Sequence, residues 1–359
     1  MESFLKGKRV LVTGACGTVG SELVRQLLEE HRVEELIGLD NNESELFFLE
    51  QRFEKSANGR FFLADVRDEN KLARKMRGIQ VVFHAAAFKH VILCEKSPFE
   101  AVRTNIMGVQ NIITAAADNR VERVIFTSSD KAVNPTNVMG TSKLMGERLM
   151  TAADSNSRDG GPLYASTRFG NVLGSRGSVI PIFREQIRKG GPVTLTDPGM
   201  TRFIMSLPQA VQLVIDSASL ACGGEVFVTK MPSIKISDLA RVMIAELAPV
   251  FGHDPQSIEI VNIGIKPGEK MYEELMSHEE TRRVWELPQY FAVLPAFTSL
   301  YREVAYTYPT VVSRQVDNPY NSGIEENMDR ETLSKLLSDN SLLFQGGEDK
   351  QHPSQRYFP

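Results

Sequence analysis

Apolar residues fall in short runs separated by longer amphipathic stretches, and this alternation organises the N-terminal half of the chain. The runs Val10-Leu11-Val12, Leu36-Ile37-Gly38-Leu39, Arg60-Phe61-Phe62-Leu63, Val81-Val82-Phe83 and Val124-Ile125-Phe126 are too short for helices. They also lack polar alternation, so they read as strands buried on both faces. Between them the pattern is helical over 21–30, 43–55, 69–77 and 98–118, and a further helix begins near Met139 and carries Lys143, Glu147 and Met150. Strand–helix alternation of this kind predicts an α/β fold with a doubly wound parallel sheet and right-handed crossovers. After Asn171 the pattern loosens, and Gly190-Gly191-Pro192 and Lys266-Pro267-Gly268 mark loops. We therefore expect a sheet domain over 1–172 and a smaller α/β domain over 173–338 with segments returning to the first. Residues 339–359, polar and carrying Gly346-Gly347, read as a flexible tail.

Composition narrows the classes. At 359 residues and 42% hydrophobic, the chain can bury one large core or two modest ones. A net charge of −4 supplies no basic field for nucleic acid or a membrane surface. Three scattered cysteines, Cys16, Cys94 and Cys222, suit neither a disulfide framework nor a zinc site, and His84 and His90 lack partners at ligand spacing. No metal is expected. The N-terminus lacks a secretory signal pattern, and no apolar stretch approaches the ~20 residues of a membrane span. A cytoplasmic protein is the expectation.

The first chemistry lies in TGACGTVG, where Gly14, Gly17 and Gly20 follow a strand and open a helix. Glycine permits the tight turn and the approach of backbone to a pyrophosphate, and the amides of Thr18 and Val19 would face the anion at the helix N-terminus. Asp40 ends the second strand, where a carboxylate can accept both adenosine ribose hydroxyls. The following Asn41-Asn42-Glu43 offers no arginine for a 2′-phosphate, so NAD is favoured over NADP. Asp65 and Val66, after the third strand, belong near the adenine. Ala85 and Ala86, after the fourth, let backbone approach the cofactor. The first domain is thus a Rossmann domain.

The segment 128–143, SSDKAVNPTNVMGTSK, follows the fifth apolar run. Ser129 and Lys143 are two parts of the Ser–Tyr–Lys set that moves a hydride in short-chain dehydrogenases. The position four before the lysine holds Met139, and a thioether cannot take a proton from an alcohol. Asp130 and Lys131 instead place an acid and an amine beside the same site, which suits a reaction with more proton steps than alcohol oxidation.

Several stretches together resemble the extended short-chain dehydrogenases, and within them the nucleotide-sugar 4,6-dehydratases of polysaccharide biosynthesis. They are TGACGTVGSEL, HAAAFKHV, TNIMGVQNI, SSDKAVNPTNVMGTSK, RFGNVLGSRGSVIPIF, LTDPGMTRFIM and KPGEKMYEEL, spanning about three quarters of the chain. The likeness is strongest to UDP-N-acetylglucosamine 4,6-dehydratases in which methionine replaces the triad tyrosine. Many long relatives carry N-terminal membrane helices, and this chain resembles their catalytic part. It departs from the family pattern at Lys266, usually arginine, and at Ile92, usually proline.

That resemblance implies NAD as cofactor, a UDP-sugar as substrate and a homodimer or larger homo-oligomer. It implies oxidation at C4, elimination of water across C5 and C6, and return of the hydride to C6, with retention at C5. By the same likeness Asp130 is the acid at C6 and Lys131 the base at C5. Ser129 holds the C4 oxygen, and Lys143 binds the nicotinamide ribose. A diphosphate is best met by cations in the matching loops, namely Arg176, Arg202 and Lys266. Asn171 and Glu269 are placed for hydroxyls, and Lys89 and His90 line the sugar pocket. A nucleotide-sugar 4-epimerase of the same fold and a non-catalytic NAD-binding scaffold remain as alternatives.

Overall fold

The computed structural model describes residues 4–343 except 159, 176–177, 266–267, 298–300 and 302. The chain divides into two compact units: residues 1–170, 208–230 and 274–321 form the first, and 171–207, 231–273 and 322–359 the second. The larger unit therefore takes back two segments from the second half of the chain.

The first unit is built on a nine-stranded sheet. Its first six strands are β1 Arg9–Thr13, β2 Glu35–Asp40, β3 Gly59–Leu63, β4 Val81–His84, β5 Arg123–Ser129 and β6 Leu163–Phe169. The spatial order is β3-β2-β1-β4-β5-β6, followed by Val226–Thr229, Tyr290–Val293 and Val284–Glu286. Pairing is parallel from β3 through Val226–Thr229, and the last two strands run antiparallel to their neighbours. All five expected strands are present, and β4 is buried at every position, as a strand covered on both faces must be. Strand order reverses between β1 and β4, which opens a crevice at their carboxyl ends.

The crossovers are α1 Thr18–Glu29, α2 Glu43–Arg52, α3 Glu69–Lys75, then α4 Val91–Lys96, α5 Pro98–Ala101, α6 Gly108–Asp118 and α7 Val138–Ser155. Asn42, Asp68 and Asn137 each accept a backbone N–H in the first turn of their helices, which fixes where those helices start. One core lies under α6 and α7, where Ile112, Ala115, Val124, Phe126, Met150 and Tyr164 pack together. The pattern over 98–118 predicts one regular helix. The structure instead inserts a π-turn, Val102–Met107, between α5 and α6. One residue too many for α-geometry is accommodated there, as at many functional sites.

The second unit packs helices Val179–Arg188, Ile236–Leu247 and Arg330–Asp339 around Ile180, Phe183, Leu239, Met243, Leu333 and Leu337. Its strands are short: Ser233–Lys235, Thr201–Met205 and Asn171–Val172 form one sheet, and Val193–Leu195 pairs with Ile260–Asn262. Part of the tail expected over 339–359 is ordered, because Leu343 is buried in this core and Leu342 packs against it. Residues 344–359 lie outside the described residues.

Candidate active site

The nucleotide end of the site is set by backbone. Gly14 has φ +69°, and a Cβ there would sit 2.7 Å from the backbone N and Cα of Ala86. Only glycine lets the end of β1 lie this close to the end of β4. Gly17 is the N-cap of α1 and has no side chain to cap the amides that follow, which leaves the first turn, at Thr18 and Val19, suited to an anion. Asp40 is oriented by the same turn: its Oδ2 accepts the Cys16 amide at 2.8 Å and its Oδ1 the Asn42 amide at 3.0 Å. A carboxylate has about four acceptor directions, so two remain for hydroxyls. Ala85 and Ala86 are half-buried beside this turn, and the Ala85 amide donates to the Thr13 carbonyl at 3.2 Å. A dinucleotide fits this cradle. Asp65 is already engaged: the Arg67 guanidinium binds its carboxylate at 2.6–3.0 Å and holds it below the usual carboxylate range. What Asp65 and Val66 present to a ligand is therefore mainly backbone, and the Val66 carbonyl itself accepts from Asn111.

The candidate catalytic segment leaves β5 as a single 3-10 turn, Asp130–Ala132. Ser129 Oγ donates to Asp130 Oδ1 at 2.6 Å, and Lys131 Nζ donates to the same oxygen at 2.9 Å. Asp130 is fully buried and its Oδ2 has no hydrogen-bond partner among the described residues. A buried acceptor left unpaired costs free energy unless a ligand satisfies it, so this oxygen marks where a donor belongs. Lys131 is the more accessible member, with its side chain 29% exposed. The turn is held from below by α7: a Cβ on Gly140 would meet the Lys131 carbonyl oxygen at 2.2 Å, so helix and turn touch backbone to backbone.

Lys143 lies buried under the end of β5, donating to the Thr127 carbonyl at 2.9 Å with its ammonium 4.7 Å from the Phe126 ring centroid. Burial lowers it from 10.5 to about 8, against the opposing pull of Glu147. Met139, at the position where the triad would hold its tyrosine, sits in a small apolar cluster with Cys94 and Ala101 and brings no polar atom to the turn. His84 is a core residue: its Nδ1 shares a 2.7 Å hydrogen bond with Thr13, and burial, then Lys143, hold it neutral.

Two sets of side chains went unassigned in the sequence. Asn105, in the π-turn, is buried. It accepts from the Phe88 amide at 2.8 Å and donates to the Phe88 carbonyl at 3.0 Å and to Ser142 Oγ at 2.9 Å. It thereby ties the Ala85–Lys89 loop to α7 between Met139 and Lys143. An asparagine inside the apolar run of TNIMGVQNI was the available signal. The other set is the buried trio Arg168, Glu147 and Glu280, which no local pattern announces.

The remaining expected residues are placed as follows. Lys89 and His90 are exposed just ahead of α4. In the second unit, Asn171 is half-buried and pairs with Ile204 by backbone. Glu269 is exposed. Arg202 is buried, and its guanidinium faces its own domain. It donates to the carbonyls of Thr201 at 2.7 Å, Lys270 at 2.9 Å and Met271 at 3.3 Å, and lies 3.6 Å from Glu273. To meet a phosphate it would have to exchange those bonds, so Arg202 orders the 270–273 segment here. Arg176 and Lys266 lie outside the described residues.

A family model described as a polysaccharide biosynthesis protein matches residues 10–295. The chain belongs to this family. Among relatives of this extended short-chain dehydrogenase/reductase, an uncharacterised membrane protein of Methanocaldococcus jannaschii is 47% identical over 96% of this chain and 99% of its own. The inverting UDP-N-acetylglucosamine 4,6-dehydratase of Campylobacter jejuni is 38% identical over 81% of this chain and 84% of its own. A UDP-glucose 4-epimerase of Rickettsia akari is 36% identical over 80% and 82%. The chain spans 46% of the length of the capsular polysaccharide biosynthesis protein CapD of Staphylococcus aureus, at 42% identity. Of solved structures, Pen from Bacillus thuringiensis gives a TM-score of 0.85 at 40% identity, covering 94% of this chain and 99% of that one. DesIV, a dTDP-glucose 4,6-dehydratase from Streptomyces venezuelae solved with NAD, gives 0.63 at 24% identity over 73% and 86%, a likeness of fold. The polysaccharide-biosynthesis family thus joins dehydratases and epimerases on one scaffold. No helix among the described residues is long and apolar enough to cross a membrane.

Proposed function

We propose that this protein is an NAD-dependent 4,6-dehydratase of UDP-N-acetylglucosamine, acting in the cytoplasm. The observation that carries this reading is the joined set Ser129–Asp130–Lys131, with methionine where an oxidoreductase of this fold needs a tyrosine. An epimerase has to move only the C4 hydroxyl proton and would leave an acid–amine pair idle, whereas a dehydratase also has to move protons at C5 and at the C6 hydroxyl. The Gly14–Gly20 turn, Asp40 and Lys143 would hold NAD, which would supply reversible two-electron acceptance at C4 and C6.

The proton steps then fall to this chain's own groups. Lys131 enters as the amine and Asp130 as the carboxylate. Ser129 Oγ accepts the proton of the C4 hydroxyl while passing its own to Asp130 Oδ1, along the 2.6 Å bond it already makes. Asp130 is then an acid, and it gives that proton to the C6 hydroxyl, which leaves as water. Lys131 removes the C5 proton, becomes the ammonium, and returns the proton to C5 when C6 is reduced. Both residues end as they began, so no outside proton is needed. Positioned acids and bases of this kind each contribute roughly 10²–10⁴ in rate. Return of the proton by the group that removed it supports retention at C5, in contrast to the named Campylobacter relative. By the family likeness, Arg176 and Lys266 are proposed for the diphosphate, Asn171 and Glu269 for sugar or ribose hydroxyls, and Lys89 and His90 for the sugar, with Arg202 ordering the 270–273 segment.

The exposed apolar side chains of Ile92, Leu93 and Phe99 on α4 and α5 support pairing with a second copy, which light scattering would measure. Incubating purified protein with UDP-N-acetylglucosamine and weighing the product tests the function. Loss of one water supports it; a mass-neutral epimer or unchanged substrate sinks it.

A further inference from the structure

Arg168, near the end of β6, is the largest fully buried side chain among the described residues, 1% exposed. All of its reach is used. Nε and Nη2 bind the two oxygens of Glu147 at 3.0 and 2.6 Å. Nη1 and Nη2 bind the two oxygens of Glu280 at 3.1 and 3.0 Å, and Nη1 also donates to the Leu275 carbonyl at 2.8 Å. Glu280 Oε2 accepts in addition from the Ser277 amide at 2.9 Å. Burial alone would weaken the charge on Arg168, but the two carboxylates hold it firmly ionised.

A buried ionic trio is a poor stabilising device. Taking three charges out of water is costly, and well-packed apolar or neutral side chains of the same volume serve a core as well or better. Its position is more telling. Glu147 stands one helical turn beyond Lys143 on α7, and both are buried. With Lys143 the four charges sum to zero. On the other side, Leu275 belongs to the strand Glu274–Met276, which packs along the Asp130–Ala132 turn, and Asn134 just past that turn bonds Glu274 at 3.2–3.3 Å. One guanidinium therefore braces both halves of the catalytic set from behind.

We propose that Arg168 is a positioning residue for proton transfer, fixing Glu147 as the counter-charge of Lys143 and pinning the strand that backs Asp130 and Lys131. This rests on the proposed dehydratase reading for its kinetic consequence, and on geometry alone for its effect on Lys143. Arg168 touches neither substrate nor cofactor in this role. The titratable groups acting on Lys143 are Glu147 on its own helix and His84 on β4, which stays neutral; Asp130 and Lys131 lie just past Thr127 at the end of β5.

The test is a neutral replacement of the whole trio, Arg168→Met with Glu147→Gln and Glu280→Gln, beside the single variant Glu147→Gln. Neutralising all three members together removes the trio's own charges and leaves only Lys143 without its counter-charge, so the triple variant is expected to fold and carry cofactor. Its kcat should fall roughly tenfold to a hundredfold, the scale of a small misplacement of reacting groups, with KM within about twofold of wild type. The pH at which Lys143 titrates, read from the pH dependence of unfolding, should drop by about one unit in both variants, because its counter-charge is gone. A kcat and titration like wild type in either variant would overturn the proposal, as would a change confined to KM. If the wild-type protein turned over no UDP-N-acetylglucosamine, the function would fall, and the Lys143 titration would still decide the role of Arg168. If the triple variant failed to fold, the Glu147→Gln variant would decide it.

Discussion

Replacing Lys143 with methionine removes a buried ammonium and keeps most of the volume. Burial brings Lys143 from 10.5 down to about 8, so between those two pH values the unfolded chain binds more protons than the folded one. Stability contributed by this group therefore rises as pH climbs from about 8 to 10.5; below 8 both states are protonated, and above 10.5 neither is. At about 1.4 kcal/mol per pH unit, the full effect is near 3 kcal/mol, and about 2 kcal/mol of it falls between pH 7 and 9.5. Lys143 is only 7% exposed, so solvent screening removes little of this. The measurement is urea unfolding of cofactor-free wild type and Lys143→Met at several pH values and fixed ionic strength. The difference between the two proteins should move in favour of wild type by about 2 kcal/mol across that range. Parallel curves would mean that Lys143 is not a desolvated charge, and the account of the site's electrostatics would fail with it.

Three further outcomes are expected. Asp130→Asn and Lys131→Ala should each lower turnover by roughly 10²–10⁴ with UDP-sugar binding little changed, and wild-type rates would remove both from the mechanism. Cofactor extracted from purified protein should be NAD, because the Asp40 carboxylate, proposed here for the ribose hydroxyls, would repel a 2′-phosphate. Gly14→Ala, whose added methyl meets Ala86 at 2.7 Å in a left-handed conformation, should carry little cofactor. Predominant NADP, or normal loading of the variant, would contradict this. Reaction in deuterium oxide followed by NMR should show retention at C5; an early product inverted at C5 would rule out Lys131 as both remover and donor of that proton.

What the sequence made legible was whatever depends on neighbours along the chain. The strands at Val10–Val12 and Val81–Phe83 stand out because both faces are apolar, and the glycine turn and Asp40 follow from their place at strand ends. The joined set at 129–131 was open to a chemical reading because Ser129, Asp130 and Lys131 are adjacent. The π-turn was not, since 98–118 keeps a helical apolar pattern through the inserted residue. Arg168 was invisible for a different reason: its partners lie 21 and 112 residues away, and nothing local separates it from a surface arginine. The orientation of Arg202 toward carbonyls of 270–271 is likewise a product of long-range folding.

The segmented build of the first unit bears on how the protein is made. Ser129, Asp130, Lys131 and Lys143 are all in place early in synthesis, yet Glu274, which bonds Asn134, emerges from the ribosome 140 residues later. Between them comes most of the second unit, so the reactive turn waits without its brace while another core assembles. Pairings this distant close slowly, and a half-built sheet with an uncovered edge invites association with other chains. A shortened chain ending near residue 170 would hold every residue of the proton-transfer set and still lack the strand and the carboxylate that keep them in register. Attempts to isolate the cofactor-binding half as a free-standing catalyst should therefore yield a protein that binds poorly and aggregates, and any useful truncation has to retain residues 274–321.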